Sequence, residues 1–216
     1  MKKHRGKPVV PITDSAIDAY AEAHTTPESE EVLALIASSD AELQYIDMLS
    51  GRIVGELLKI LVQISGAKRI LEIGTFTGFS AVTMAEALPE VVTLEMNLRY
   101  QKLAQKHFDE SLVGHKIRMI CGNAQQTAGE LEGEFDLVYL DGDKLRYSLY
   151  YEKTLQKLKP NGLIVADNVL WDGTVLNPED HKAQAIADFN QFVAEDPRVE
   201  QVLLPIRDGV NVIRKR

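Results

Sequence analysis

The stretch Arg69-Ile70-Leu71-Glu72-Ile73-Gly74-Thr75-Phe76-Thr77-Gly78-Phe79-Ser80 decides the fold. A short apolar run ends in glycine, a second glycine follows four residues later, and a helical pattern opens at Ser80. The spacing predicts a strand over 69–74, a tight turn and a helix over 80–88. The same alternation continues downstream. Strands are expected over 91–95, 116–121, 135–141, 163–167, 199–205 and 210–214. Helices are expected over 98–110, 147–158 and 181–195, the second closed by Lys159-Pro160-Asn161-Gly162. Short apolar strands alternating with amphipathic helices imply a parallel sheet covered on both faces. Only the tight turn Arg207-Asp208-Gly209 separates the last two strands, so they must pair antiparallel. The expected fold class is α/β: a doubly wound, mostly parallel seven-stranded sheet with an antiparallel edge hairpin. Ligands of such sheets bind beyond the carboxyl ends of the strands, near the point where strand order reverses.

Ahead of this core the pattern is helical. Thr13-Asp14-Ser15 can cap a helix running to about Ala23, Thr26-Pro27 can start a second running to about Ile36, and Ser39-Asp40 a third. Apolar residues at Ile53, Leu57, Ile60, Leu61 and Ile64 predict a longer helix that Gly66 ends. Residues 1–13 read as a loose arm. The whole chain, 1–216, is expected to be one domain, with 1–66 an arm and helices and 67–216 the α/β core.

Composition narrows the class. Apolar residues make up 45% and charged residues 26% of the 216, which argues against a disordered or fibrous chain. The formal net charge of −8 offers no general attraction for nucleic acid, although Lys2, Lys3, Arg5 and Lys7 at one end and Arg214, Lys215 and Arg216 at the other form short basic clusters. No apolar run approaches the ~20 residues of a membrane span. Pro8-Val9-Val10-Pro11-Ile12 is too short and Pro-broken for a signal sequence, so a cytoplasmic location is expected. A single cysteine, Cys121, excludes an internal disulfide framework, and a strand-end position reads as a small buried filler.

Four constellations carry chemistry. Glu72 to Ser80 forms a glycine turn after the first strand, but Phe76 replaces the middle glycine of a dinucleotide fingerprint, which counts against a nicotinamide cofactor. Glu95, at the end of the second strand, can accept both ribose hydroxyls of an adenosine. Asp141-Gly142-Asp143-Lys144 and Asp167-Asn168 follow strands expected to be neighbours. Asp141, Asp167 and Asn168 then form either a hard, all-oxygen site suited to Mg²⁺ or Ca²⁺, or an electrostatic cluster satisfied by caps and turns. Lys144 is either a surface lysine or, in a partly dry site beside a cation, a base for a hydroxyl.

Taken together, these runs resemble the cation-dependent O-methyltransferases of the caffeoyl-CoA and catechol O-methyltransferase type, in a bacterial-type member. Leu71 to Ser80, Asp141-Gly142-Asp143-Lys144 with Tyr147 and Tyr150, and Ala166-Asp167-Asn168-Val169-Leu170-Trp171-Asp172-Gly173 occur in the right order and spacing. Met48-Leu49-Ser50-Gly51 and Leu204-Pro205-Ile206-Arg207-Asp208-Gly209 also fit, so that the likeness covers roughly 40–216. The resemblance implies a Rossmann-like class I methyltransferase fold and S-adenosylmethionine as donor. It implies Glu72, Gly74, Ser80, Glu95, Ala124, Asp141 and Tyr150 around that donor, with Ser50 closing over it. It implies Asp141, Asp167 and Asn168 as ligands of a divalent cation (Mg²⁺, or alternatively Ca²⁺ or Mn²⁺), Lys144 as base, and a homodimer. Trp171 either walls the acceptor pocket or anchors the core. Asp172 stands where plant members carry an asparagine that contacts substrate, a departure that bears on a coenzyme A thioester acceptor.

The reaction expected from this is methylation of one hydroxyl of a vicinal-dihydroxy aromatic small molecule. A hydroxylated uridine in tRNA is an alternative acceptor, which the net charge opposes. A catalytically silent adenosine-binding scaffold is the alternative of another class, and retention of all three ligand positions with Lys144 opposes it.

Overall fold

The computed structural model describes residues 12–43, 48–87 and 90–216, with the backbone of Lys3–His4 and Lys7–Pro8, which pair as a short antiparallel ladder. The rest of the expected N-terminal arm and the expected helix end at Leu88 lie outside the described residues.

The core is one seven-stranded sheet. Its strands are β1 (Arg69–Ile73), β2 (Glu90–Glu95), β3 (Ile117–Cys121), β4 (Phe135–Leu140), β5 (Leu158–Asp167), β6 (Val199–Leu204) and β7 (Val210–Lys215). The spatial order is β3-β2-β1-β4-β5-β7-β6. The first five run parallel, whereas β7 is antiparallel to β5 and β6 to β7. Strand order therefore reverses between β1 and β4, whose ends carry Gly74 and Asp141.

Alternation along each strand feeds two cores. Leu71, Ile73, Val138, Leu140, Ile164 and Ala166 pack with Tyr147, Tyr151, Ile186 and Phe189 on one face. Ile70, Val91, Leu137, Tyr139 and Val165 pack with Val54, Leu58, Phe79 and Phe108 on the other. These are the continuous apolar strands of a sheet buried on both sides.

The helices are α1 (Ser15–Ala23), α2 (Glu30–Glu42), α3 (Gly51–Ser65), α4 (Phe79–Ala85), α5 (Leu98–Glu110), α6 (Ala124–Glu130), α7 (Tyr147–Lys157) and α8 (His181–Glu195). Asp14 caps α1 by accepting the Ala16 N–H at 2.8 Å, as its position predicts. Gly66 ends α3 in the left-handed region at φ 65°, where glycine has no Cβ to clash.

Three readings are corrected. The helix expected from Thr26-Pro27 starts after Ser29, whose hydroxyl accepts the Val32 N–H, and Ser39-Asp40 opens nothing: α2 runs through to Glu42. Ser39 is buried there and donates to the Leu35 carbonyl at 2.8 Å, a bond of a helix interior, whereas a serine that opens a helix accepts a backbone N–H instead. The short helix α6 was not foreseen, because it buries only Ala124 and Ala128 and so writes no apolar stripe. Cys121 is exposed rather than buried, since β3 is the sheet edge.

One further element differs in extent. β5 begins at Leu158, where pairing to Phe135 jumps to Leu163 opposite Leu137, so 159–162 bulges out of the strand with Asn161 at φ 63°. Glu86, just after α4, holds the helical N-terminal part on the core by accepting from Ser29 and Lys59 at 2.5 and 2.6 Å, and within that part Arg52 of α3 reaches Glu28 at 2.7 Å.

Candidate active site

The chemistry-bearing residues collect at the carboxyl ends of β1, β2, β4 and β5. At β1 the chain turns through Gly74 (φ 103°), Phe76 (φ 52°) and Gly78 (φ 92°). Gly74 is required sterically, because a Cβ there would stand 2.4 Å from the Asp141 carbonyl oxygen. The left-handed turn that a middle glycine would make is made instead by Phe76. Its N–H donates to Glu95 Oε2 at 2.8 Å, and the N–H groups of Met96 and Asn97 donate to Oε1 at 2.9 and 2.8 Å. Glu95 thus ties the turn after β1 to the turn after β2.

Glu72 is fully buried beneath this turn and takes hydroxyl bonds from Ser80 and Thr93, both at 2.5 Å. Burial pushes its carboxyl up to about 8; the two hydroxyl bonds oppose that shift, and the charges of Asp141 and Glu95 add to it. Ala124 opens α6 beside β3, where the Gly122 N–H meets the Glu95 carbonyl at 2.9 Å. Tyr150 is buried on α7 against Gly142, where an added Cβ would lie 3.3 Å from its ring.

At the ends of β4 and β5 the pairing of Leu140 with Ala166 makes Asp141 and Asp167 neighbours, as the expected topology requires. Asp167 is 2% exposed. Its Oδ1 accepts the Asn168 N–H at 2.8 Å and its Oδ2 accepts the Tyr139 hydroxyl at 2.7 Å. Burial and the Asp141 charge push its carboxyl up, against the Lys144 ammonium and these hydrogen bonds.

Lys144 is buried rather than a surface lysine. Its Nζ donates to Asp141 Oδ1 at 2.7 Å and to the Tyr147 hydroxyl, and lies 3.5 Å from the Asp167 carbonyl. Tyr147 Oη in turn sits 2.8 Å from that carbonyl and 3.0 Å from the carbonyl of Leu140.

Beyond β5, Asn168, Trp171 and Asp172 all take the left-handed region, at φ 57°, 47° and 57°. Such conformations cost about 1–3 kcal/mol each and persist only where the surroundings hold them. The β6–β7 turn does the holding: Gly209 and Asp208 carbonyls accept the N–H groups of Val169 and Leu170 at 3.1 and 2.9 Å, and Asp208 Oδ1 accepts that of Asp172 at 2.5 Å. Trp171 is 6% exposed and packs in the apolar core that includes Ala183 and Ile186.

Ser50 lies just before α3, but its hydroxyl meets Tyr139 Oη at 2.9 Å. Tyr139 is fully buried, and burial together with the Asp167 and Asp141 charges raises its phenol well above the ordinary value. No role had been read for it from the sequence. The one available signal was a hydroxyl in an otherwise aliphatic stretch of β4.

The donors at β4 and β5 suit a hard cation. Two carboxylates held side by side, one of them buried and raised by the other's charge, would be relieved by a divalent ion, and Asn168 offers a third oxygen. Among the described residues no group of three His, Cys, Asp or Glu side chains forms a metal site, so the candidate set is two carboxylates and an amide.

Comparison with known proteins agrees with this geometry. The O-methyltransferase family model matches residues 23–216. A caffeoyl-CoA O-methyltransferase of Zea mays is 35% identical over 178 residues, covering 74% of this chain and 67% of the maize protein. A methyltransferase of Podospora anserina, solved with SAH bound, superposes with a TM-score of 0.87 at 31% identity, over 93% of this chain and 94% of that one. An O-methyltransferase of Bacillus cereus, also in complex with SAH, gives 0.84 at 27% identity over 93% and 97%. The seven-stranded doubly wound fold is thus shared with methyltransferases solved with SAH bound, and this chain belongs to the O-methyltransferase family.

Proposed function

We propose that the protein transfers a methyl group from S-adenosylmethionine to one hydroxyl of a vicinal-dihydroxy aromatic small molecule, with a divalent cation, Mg²⁺ first, as cofactor. The observation that carries this reading is the pair of carboxylates Asp141 and Asp167 at adjacent strand ends with the Lys144 Nζ 2.7 Å from one of them. Asp141, Asp167 and Asn168 would hold the cation, which supplies positive charge that acidifies an acceptor hydroxyl, as metals do for bound water. Ser50, Glu72, Gly74, Ser80, Glu95, Ala124, Asp141 and Tyr150 would shape the donor side. Glu95 and the glycine turn suit an adenosine, and the SAH-bound relatives support the same donor.

Lys144 is the group placed to move a proton. Lys144 Nζ, having first released one proton to water, takes the proton of the acceptor hydroxyl as a free amine; the oxygen then attacks the donor methyl in line, the O–CH3 bond forming as the S–CH3 bond breaks and S-adenosylhomocysteine leaves. Tyr147 keeps Nζ aimed at the Asp141 side, since its own hydroxyl is held by the Asp167 and Leu140 carbonyls. Most of the rate then comes from alignment and fixed charge. Asp172, partly buried behind the ligand pair, would border the acceptor. The maize relative's name supports a small aromatic acceptor. A homodimer and a cytoplasmic location belong to the same reading; among the described residues no helix is long and apolar enough to cross a membrane.

The test is methyl transfer from labelled S-adenosylmethionine to catechols, hydroxycinnamates and bulk tRNA, each with Mg²⁺ and with EDTA. Transfer to a catechol that EDTA abolishes is expected. Transfer to tRNA alone, or transfer to a catechol that persists in EDTA, would overturn the acceptor or the cation half of the proposal respectively.

A further inference from the structure

We propose that Tyr139 is a positioning residue that couples the donor side to Asp167, so that a ligand bound on either side tightens the other. This rests on the cation and donor assignments above. Tyr139 carries the one hydroxyl in β4, and it reaches two residues far apart in the chain, Ser50 at 2.9 Å and Asp167 Oδ2 at 2.7 Å.

The chemistry sets the polarity of the chain. A carboxylate only accepts, so the single phenolic proton goes to Asp167, and Ser50 must donate its own proton to Tyr139. The bonds run from Ser50 to Tyr139 to Asp167. All three residues are buried, at 8%, 0% and 2% exposure, so water cannot replace a missing link cheaply. The other oxygen of Asp167 is held by the Asn168 N–H, which leaves Tyr139 as the side chain that sets the carboxylate's rotation from the sheet side.

The far end of the chain is the segment that leads into α3. Its backbone is held at the Leu49 carbonyl by Arg207 at 3.4 Å, and its side-chain link to the sheet is the Ser50–Tyr139 bond. A donor that orders Ser50 therefore stiffens Tyr139 and fixes Asp167. A cation that fixes Asp167 in turn orders Ser50 through the same two bonds. Such coupling is reciprocal by thermodynamic necessity.

The experiment uses the full chain and two probes: SAH binding by calorimetry with and without Mn²⁺, and Mn²⁺ binding by electron paramagnetic resonance with and without SAH. Wild type is compared with Tyr139→Phe, which keeps the ring, and with Ser50→Ala, which cuts the chain at its other end, and Tm is recorded for all three. In wild type each ligand is expected to tighten the other ~5-fold or more. In both variants that factor should fall below about twofold, whatever the change in Tm or in the affinity for each ligand alone, because the coupling is a ratio taken within one protein. A loss of Tm with the coupling intact would make Tyr139 merely structural and overturn the inference. Wild type that binds both ligands without coupling would also overturn it and leave the cation assignment standing. Wild type that binds no Mn²⁺ would overturn that assignment and this inference together.

Discussion

The two sides of the strand-end site are built on opposite electrostatic plans. At the ends of β1 and β2 the carboxyls of Glu72 and Glu95 are already answered, one by two hydroxyls and the other by three backbone N–H groups. Glu72 rises to about 8, so it is mostly protonated at neutral pH and adds little charge. At the ends of β4 and β5 the buried Asp167 carboxylate carries the repulsion of the neighbouring Asp141, whose Oδ1 is paired with the buried Lys144 ammonium, and the loop that follows is strained at three non-glycine residues. The first side is preformed and self-satisfied. The second holds repulsion and strain that a ligand could relieve. A shape-complementary donor needs the first kind of surface; acid–base chemistry beside a cation needs the second.

The largest expected break is on the second side. Asp167→Ala should abolish cation-dependent turnover while SAH binding, measured by calorimetry, stays near the wild-type value. Collapse of SAH binding as well would mean that the two sides are not separable in this way. Next, Lys144→Ala should lower kcat by ~10²–10⁴, the usual scale of a lost general base. A single-turnover rate that does not move would remove Lys144 from proton transfer.

Gly74→Ala probes the joint between the sides. The new Cβ would meet the Asp141 carbonyl at 2.4 Å in a left-handed backbone. A loss of ~3 kcal/mol in denaturant unfolding is expected from clash and strain together. An unchanged midpoint would show that β1 and β4 can part without cost.

The smallest effect sharpens the contrast through pH. Glu72 titrates near 8 folded, against an ordinary carboxylate value of 4.5. Its protonated form therefore favours folding: the contribution is whole below about 4.5 and is lost as pH rises towards 8. Glu72→Gln cannot ionise. Between pH 5 and 7 its stability relative to wild type should improve by ~2.5 kcal/mol, close to the limit of ~1.4 kcal/mol per pH unit across that window. Parallel stability curves for the two proteins would place Glu72 as an ordinary carboxylate.

Much of this was legible before any coordinates. The strand–glycine–helix rhythm gave the sheet, the antiparallel hairpin followed from the short Arg207-Asp208-Gly209 turn, and Asp141 and Asp167 were expected at neighbouring strand ends. The misses share a cause. α6 packs through two alanines, Ser39 turns its hydroxyl back to a helix carbonyl instead of capping a new helix, and Tyr139 reads as one more buried residue of a strand. In each case the deciding partner is invisible to local pattern: the Tyr139 hydroxyl meets residues 89 and 28 positions away.

What the sequence determined by itself was the kind of sheet, the turns that end its strands and the inventory of carboxylates, amide and lysine placed there. Those depend on periodicity and on backbone freedom, which are local. Only the tertiary structure decided which of these groups are buried, which are already satisfied, and which carry the repulsion of a neighbour. Burial sets the cost of a charge and the strength of each hydrogen bond, and burial is produced by the whole fold.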